Sequence, residues 1–265
     1  MTPIKHRLRK YQRQLPPQLP FTKAERALIA RLNTPAKVQR WLNALPYNTE
    51  PRGETLRSFR PVARLKTAHC CEAALFAAVV LEQHGYPPLV MSLESQDWLD
   101  HVIFVYRHDT GLGSVARSRD PGLHGRKPRF RTPRALARSY YDGYVDDTGR
   151  VKGFGVANLI DAMPGYDWRL TTKNAWKVEQ MLIDWPHRKI KTSDRRYRAL
   201  LKKYKAYRAA HNGRKPIYYR GRDKWEPLPQ EFLTPVSSRT RSSGRRRAAN
   251  DRTPSAPCDR AASTP

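Results

Sequence analysis

The sequence predicts an α+β fold, and three observations carry that expectation. One helical run, residues 68–84, is apolar on every side between Ala73 and Leu81 (AALFAAVVL), so it has to be buried in the middle of a domain. Short segments rich in β-branched and aromatic residues follow it, LVMSL from Leu89 and HVIFVYR from His101, separated by turn-forming residues. Helical segments lie before and after this block rather than alternating with it, which excludes a βαβ repeat and points to an antiparallel sheet.

Taken in order, residues 1–21 are basic and Pro-rich and read as an arm. TKAERALIARL from Thr22 has an N-cap residue and Glu25 three positions later, the pattern of a capping box. Pro35 opens a second helix with Val38, Leu42 and Leu45 on one face. Residues 47–66 are polar, carry Pro51, Gly53 and Pro61, and read as an ordered loop. Gly85 stops the buried helix. After the strand at His101, HDTGLG reads as a turn and residues 114–116 as a short strand, and residues 121–131 form a Gly-, Pro- and Arg-rich loop. Residues 133–141 read as helix, 149–160 as a hairpin-like region, and 173–184 as helix. The expected domain therefore spans residues 22–185. A basic, partly helical extension covers 186–236 and a Ser-, Arg- and Pro-biased disordered tail covers 237–265.

Charge is unevenly placed. Of the net +28, residues 186–265 carry +16 with little apolar content, and the mean hydropathy of the chain is −0.77. Tyr197, Tyr204, Tyr207, Tyr218 and Tyr219 lie among those lysines and arginines, a composition able to hold phosphate backbones and stack on bases. The same pattern also suits a plain solvated helix and tail. No stretch approaches the roughly 20 apolar residues that cross a bilayer, and no membrane partner is expected. Three cysteines, two of them adjacent, make no disulfide framework and suit a reducing, cytoplasmic setting.

The chemistry-bearing pattern is Cys70-Cys71 in the first turn of the buried helix, with His101 opening the strand after next. Unpaired N–H groups and the helix dipole favour thiolate there, and a histidine in reach completes an ion pair. The alternative is inert packing of a cysteine in an apolar helix. A metal site from His69, Cys70, Cys71 and His101 is disfavoured, because adjacent side chains diverge on a helix and no second Cys pair stands at zinc spacing. His84 reads as a helix-end residue and His124 as a loop residue.

The strings LPYNTEPRGETLRS, AHCCEAALFAA, DHVIFVYR and SVARSRDPGLHGRKPRFRT, the last leading to SYYDGYVDDTGRVKG, resemble the transglutaminase-like superfamily over residues 34–184, and within it a bacterial group of unassigned role. The resemblance implies a cysteine nucleophile at Cys70, with Cys71 a packed neighbour one residue away, and a catalytic His101. It also implies an Asp near the end of the next strand. Counted from His101, that position falls near Arg117 or Ser118. Asp120 is the best carboxylate, with Ser118 and Asp109 as the alternatives. The implied activity is acyl transfer from an amide or ester, on a peptide or amide substrate, to water as a peptidase or amidase or to an amine as a transferase, with no cofactor. A fold of this kind kept as an inactive scaffold, with the basic C-terminal region binding nucleic acid or another polyanion, is the competing expectation.

Overall fold

A computed structural model describes residues 15–95, 101–119, 121–145 and 149–213, all within one unit, Met1–Pro229. The second unit, Gln230–Pro265, the N-terminal arm to residue 14, Asp120, Tyr218, Tyr219 and Cys258 lie outside the described residues.

Two capped helices come first. In α1 (Lys23–Arg31) the Thr22 hydroxyl accepts from the Glu25 N–H at 3.2 Å and the Glu25 carboxylate accepts from the Thr22 N–H at 2.8 Å, as the sequence predicts. In α2 (Pro35–Asn43) Thr34 caps the Lys37 N–H and Pro35 takes the first turn. The stretch expected to be all loop contains a further helix, α3 (Phe59–Leu65). Pro61 does not break it, because it falls in the first turn, where its missing N–H has no intrahelical role.

The central helix α4 (Cys70–Glu82) buries every residue from Cys71 onward. Leu75, Phe76, Val79, Val80 and Leu81 are each removed from water, worth roughly 1.5–3 kcal/mol apiece before chain entropy is counted. Trp41 stacks on Phe76 at 4.4 Å, and Phe76 on Phe59 at 5.3 Å, which ties α2 and α3 to α4. Gly85, at φ +81°, ends the helix in the left-handed region.

The chain is α+β with one six-stranded antiparallel sheet, in the order β4-β3-β2-β1-β5-β6. Its strands are β1 (Leu89–Ser95), β2 (His101–His108), β3 (Gly111–Val115), β4 (Arg126–Phe130), β5 (Val151–Asn158) and β6 (Arg188–Lys189). Three expectations are corrected here. The turn after β2 is only Asp109 and Thr110, and β3 begins at Gly111. Gly113 is needed in β3 because a Cβ would lie 2.5 Å from the Tyr106 ring. The Arg-rich loop contains β4, an edge strand that tolerates Pro128. Residues 149–160 form no local hairpin, since β5 pairs with β1 and then enters the short helix α7 (Leu159–Ala162).

The sheet is covered on both faces. Val90, Val102, Phe104, Tyr106, Val115 and Ala157 face the core shared with α1–α4 and with α8 (Trp176–Asp184). Met91, Leu93, Ile103, Val105 and Phe154 face a second core with Leu136, Ala137, Tyr140 and Tyr144 of the segment holding α5 (Pro133–Arg138) and α6 (Tyr141–Tyr144). β6 and the buried Ile190 belong to this body, so the sheet runs past the expected boundary at residue 185. The final helix α9 (Asp194–Ala210) buries Tyr204, and ion pairs join Arg150 to Asp194 and Arg196 to Asp142. No helix among the described residues is long and apolar enough to cross a membrane.

Candidate active site

The site is built where the first turn of α4 meets the start of β2. His69 is the N-cap of α4. Its extended backbone lets the ring fold back, so that Nδ1 accepts from the Cys71 N–H at 3.3 Å, while Nε2–H donates to the Thr55 carbonyl at 2.8 Å. Glu72, at the third helical position, accepts from the His69 N–H at 3.1 Å and closes a capping box in which histidine replaces the usual Ser or Thr.

Cys70 is half-buried, whereas Cys71 is buried in the core, and neither is in a disulfide. Burial works against a Cys70 thiolate, but hydrogen bonds from His101 and His69, together with their charge, outweigh it and hold the thiol well below its ordinary value. Burial pushes the Cys71 thiol well up, and the charges of Cys70, Glu179 and Glu72 add to the rise. Of two adjacent sulfurs, the one set against the histidines is Cys70.

His101 is buried and opens β2. Strand alternation groups it with Ile103 and Val105, on the face away from α4, and its ring lies 5.8 Å from Tyr140 of that face. It opens β2 at the end of the sheet where the two layers meet, and its charge favours the Cys70 thiolate. Its Nε2–H donates to the Leu123 carbonyl at 2.8 Å, which fixes the tautomer and leaves Nδ1 for the sulfur.

Among the described residues, the group that fixes His101 Nε2 is this backbone carbonyl. Asp120 lies outside the described residues. Asp109 does not reach the site: it is exposed in the β2–β3 turn, one residue beyond His108, which lies seven residues along the strand from His101, or roughly 23 Å. The Ser118 backbone carbonyl accepts from Arg117 Nη1 at 2.9 Å and lies 3.0 Å from His124 Nε2, so it serves the loop. His84 bonds the Ile29 carbonyl at the end of α4.

The Leu123 carbonyl is itself held. Arg126 is buried, and its guanidinium donates to the carbonyls of Gly122 at 2.7 Å, His124, Gly125 at 3.3 Å and Ser139 at 3.4 Å, and to the Ser139 hydroxyl at 3.3 Å. It also packs over the Tyr140 ring at 3.9 Å. Burial pulls its pKa down to about 10, which leaves it charged at neutral pH. The loop comes this close because residue 125 is glycine: a Cβ there would lie 2.1 Å from Gln39 Oε1 and 2.5 Å from the Ser114 carbonyl.

Glu72 anchors the other side. Its fully buried carboxylate accepts from Asn48 Nδ2 at 3.0 Å, the Thr55 hydroxyl at 2.8 Å and the Arg57 N–H at 3.1 Å, besides His69. The polar string NTEPRGETLR is therefore a loop wound around one buried carboxylate. The sequence reading weighs His69 only as a metal ligand and gives Glu72, Leu123 and Arg126 no role in the site. The one available signal was Glu72 standing three residues after His69, the same spacing that marks Thr22 and Glu25.

Among the described residues no group of three or more His, Cys, Asp or Glu is arranged to hold a metal ion. In comparisons with known proteins, no family model matches the chain and none of the curated proteins matches it.

Proposed function

We propose that the chain is a transglutaminase-like cysteine acyl-transfer enzyme acting on a peptide or other amide. The observation that carries this reading is the Cys70 thiol in the first turn of a buried helix, held well below its ordinary value by His101, whose Nε2 is fixed by the Leu123 carbonyl. Cys70 Sγ attacks the carbonyl carbon as its proton passes to a histidine beside it, the C–S bond forms, and the C–N or C–O bond breaks as that histidine returns the proton to the leaving group. Water or an amine then displaces the sulfur while His101 removes the acceptor's proton, which is worth about 10²–10⁴ in rate. N–H groups at the start of α4 are the donors this reading assigns to the developing oxyanion. A disulfide-free Cys70 and Cys71 suit a reducing, cytoplasmic setting.

The test uses p-nitrophenyl acetate with the full chain. An acetyl group on the Cys70 peptide, released by hydroxylamine, is expected, with steady-state p-nitrophenolate release abolished in Cys70→Ala and reduced at least about 100-fold in His101→Ala. Turnover unchanged by Cys70→Ala would rule the reading out.

A second reading, an inactive scaffold that binds nucleic acid, has its own observation. Arg195, Arg198, Lys202 and Lys205 of α9 recur at helical spacing and are all exposed, and Tyr207 stacks on His211 at 3.8 Å. Under it, a labelled single-stranded oligonucleotide binds with an affinity that falls with salt. Reversing these four charges then flattens the slope by about 0.7 for each lost phosphate contact, whereas absence of binding at low salt would exclude it.

A further inference from the structure

Two histidines, not one, stand against the Cys70 sulfur, and their surroundings differ. Among the described residues, the group behind His101 is an uncharged carbonyl, that of Leu123. Behind His69 are two carboxylates, with Nε2 at 3.6 Å from Glu72 and 3.8 Å from Glu50, and the Thr55 carbonyl at 2.8 Å. An imidazolium is stabilised far more by two carboxylates than by a carbonyl dipole.

We infer that His69 is the resting ion-pair partner of Cys70, a catalytic residue beside His101 rather than only a helix cap. This rests on the reading of Cys70 as a nucleophile. In the step, the Cys70 S–H bond breaks, the proton goes to His69 Nδ1, and the sulfur keeps the electron pair. His69 then carries the positive charge between Glu50, Glu72 and the new thiolate. Nδ1 can no longer accept from the Cys71 N–H, so the same proton transfer releases that donor at the start of α4 for negative charge developing beside Cys70. His69 gives that proton to the leaving group, and His101 is left to take the acceptor's proton in the second half of the reaction.

The charged and titratable groups facing His69 are consistent with this. Glu72 and Glu50 favour its charge, and Arg57, whose Nε lies 3.6 Å from Glu72, offsets part of it. His101 shares the sulfur, and Cys71, pushed up by burial, stays a thiol. Burial opposes a charged His69 ring, but the hydrogen bond and charge of Cys70, then Glu72 and the Thr55 carbonyl, outweigh it and raise the ring to about 9.

The experiment is the pH midpoint of Cys70 alkylation by iodoacetamide, read by peptide mass in the full chain, in the natural sequence, His69→Asn and His101→Asn. Asparagine is a good N-cap, so His69→Asn keeps an acceptor for the first turn and removes only the titrating ring. The expected result is a low midpoint in the natural chain, raised by at least about one pH unit (tenfold in ionisation) in His69→Asn and raised by less in His101→Asn. The reverse pattern, with the larger rise in His101→Asn, overturns the inference and leaves the nucleophile standing. A natural-chain midpoint near 8.5 removes both. Should His69→Asn lose the native circular dichroism, ring ¹⁵N shifts of the natural chain decide. Two protonated nitrogens on His69 at pH 7 support the pair, and a neutral ring overturns it.

Discussion

Glu72→Ala is expected to cost roughly 3–5 kcal/mol of stability, because it breaks a buried ionic cluster by removing its acceptor. The carboxylate accepts hydrogen bonds from four donors, Asn48, Thr55 and the N–H groups of Arg57 and His69, and faces the Arg57 guanidinium at 3.6 Å. Alanine leaves these donors buried without that acceptor and opens a hole beneath the first turn of α4. Glu72→Gln removes the charge but keeps one acceptor oxygen, so its cost is expected to be smaller, roughly 1–3 kcal/mol. Urea unfolding checks both, as a lowered midpoint with unchanged slope. The carboxylate also stands behind His69, so Glu72→Gln is expected to raise the Cys70 midpoint while the fold persists. Equal stability of the alanine variant and the natural chain would contradict the assignment of Glu72 as the anchor of the 48–57 loop.

Arg126→Ala is expected to be as costly, roughly 3–5 kcal/mol, or about 6–20 °C in melting temperature for a domain of this size. The guanidinium fork holds the Gly122, His124, Gly125 and Ser139 carbonyls together, and a methyl group satisfies none of them. Arg126→Lys keeps the charge but not the planar fork, and a single ammonium cannot span carbonyls on both sides of the loop. The lysine variant is therefore expected to fold and to lose turnover more than it loses stability, since the Leu123 carbonyl that orients His101 is no longer fixed. Calorimetry and steady-state p-nitrophenolate release together separate the two effects. A lysine variant with full turnover would show that the Leu123 loop holds its place without the fork.

These two residues also show where sequence reading stops. The buried helix and the strands at Leu89 and His101 were legible because each is a local pattern, a run apolar all round or a β-branched segment between turns. β5 was misread as half of a hairpin because its partner β1 lies some sixty residues earlier, and long-range pairing leaves no local mark. β4 was hidden by the arginines and the proline that an edge strand accepts. At the site, Cys70 and His101 were legible from their positions at element starts. The Leu123 carbonyl beside His101 was not, because a backbone carbonyl has no residue type. Arg126 looked like one more solvated charge in an Arg-rich chain, and only the folded loop shows it buried. His69 and Glu72 could have been found by extending the capping-box pattern to a histidine cap.

The most direct test of Cys70 as an ionised nucleophile is a competition at pH 6.5, with the natural full chain and added glutathione sharing a limiting amount of iodoacetamide. An ordinary thiol of pKa ~8.5 is only about 1% ionised there. Cys70 is expected to take the label at least about tenfold faster than glutathione, with Cys71 unlabelled. Labelling of Cys70 no faster than glutathione would mean a thiol without an ion pair, and would contradict the account of this site.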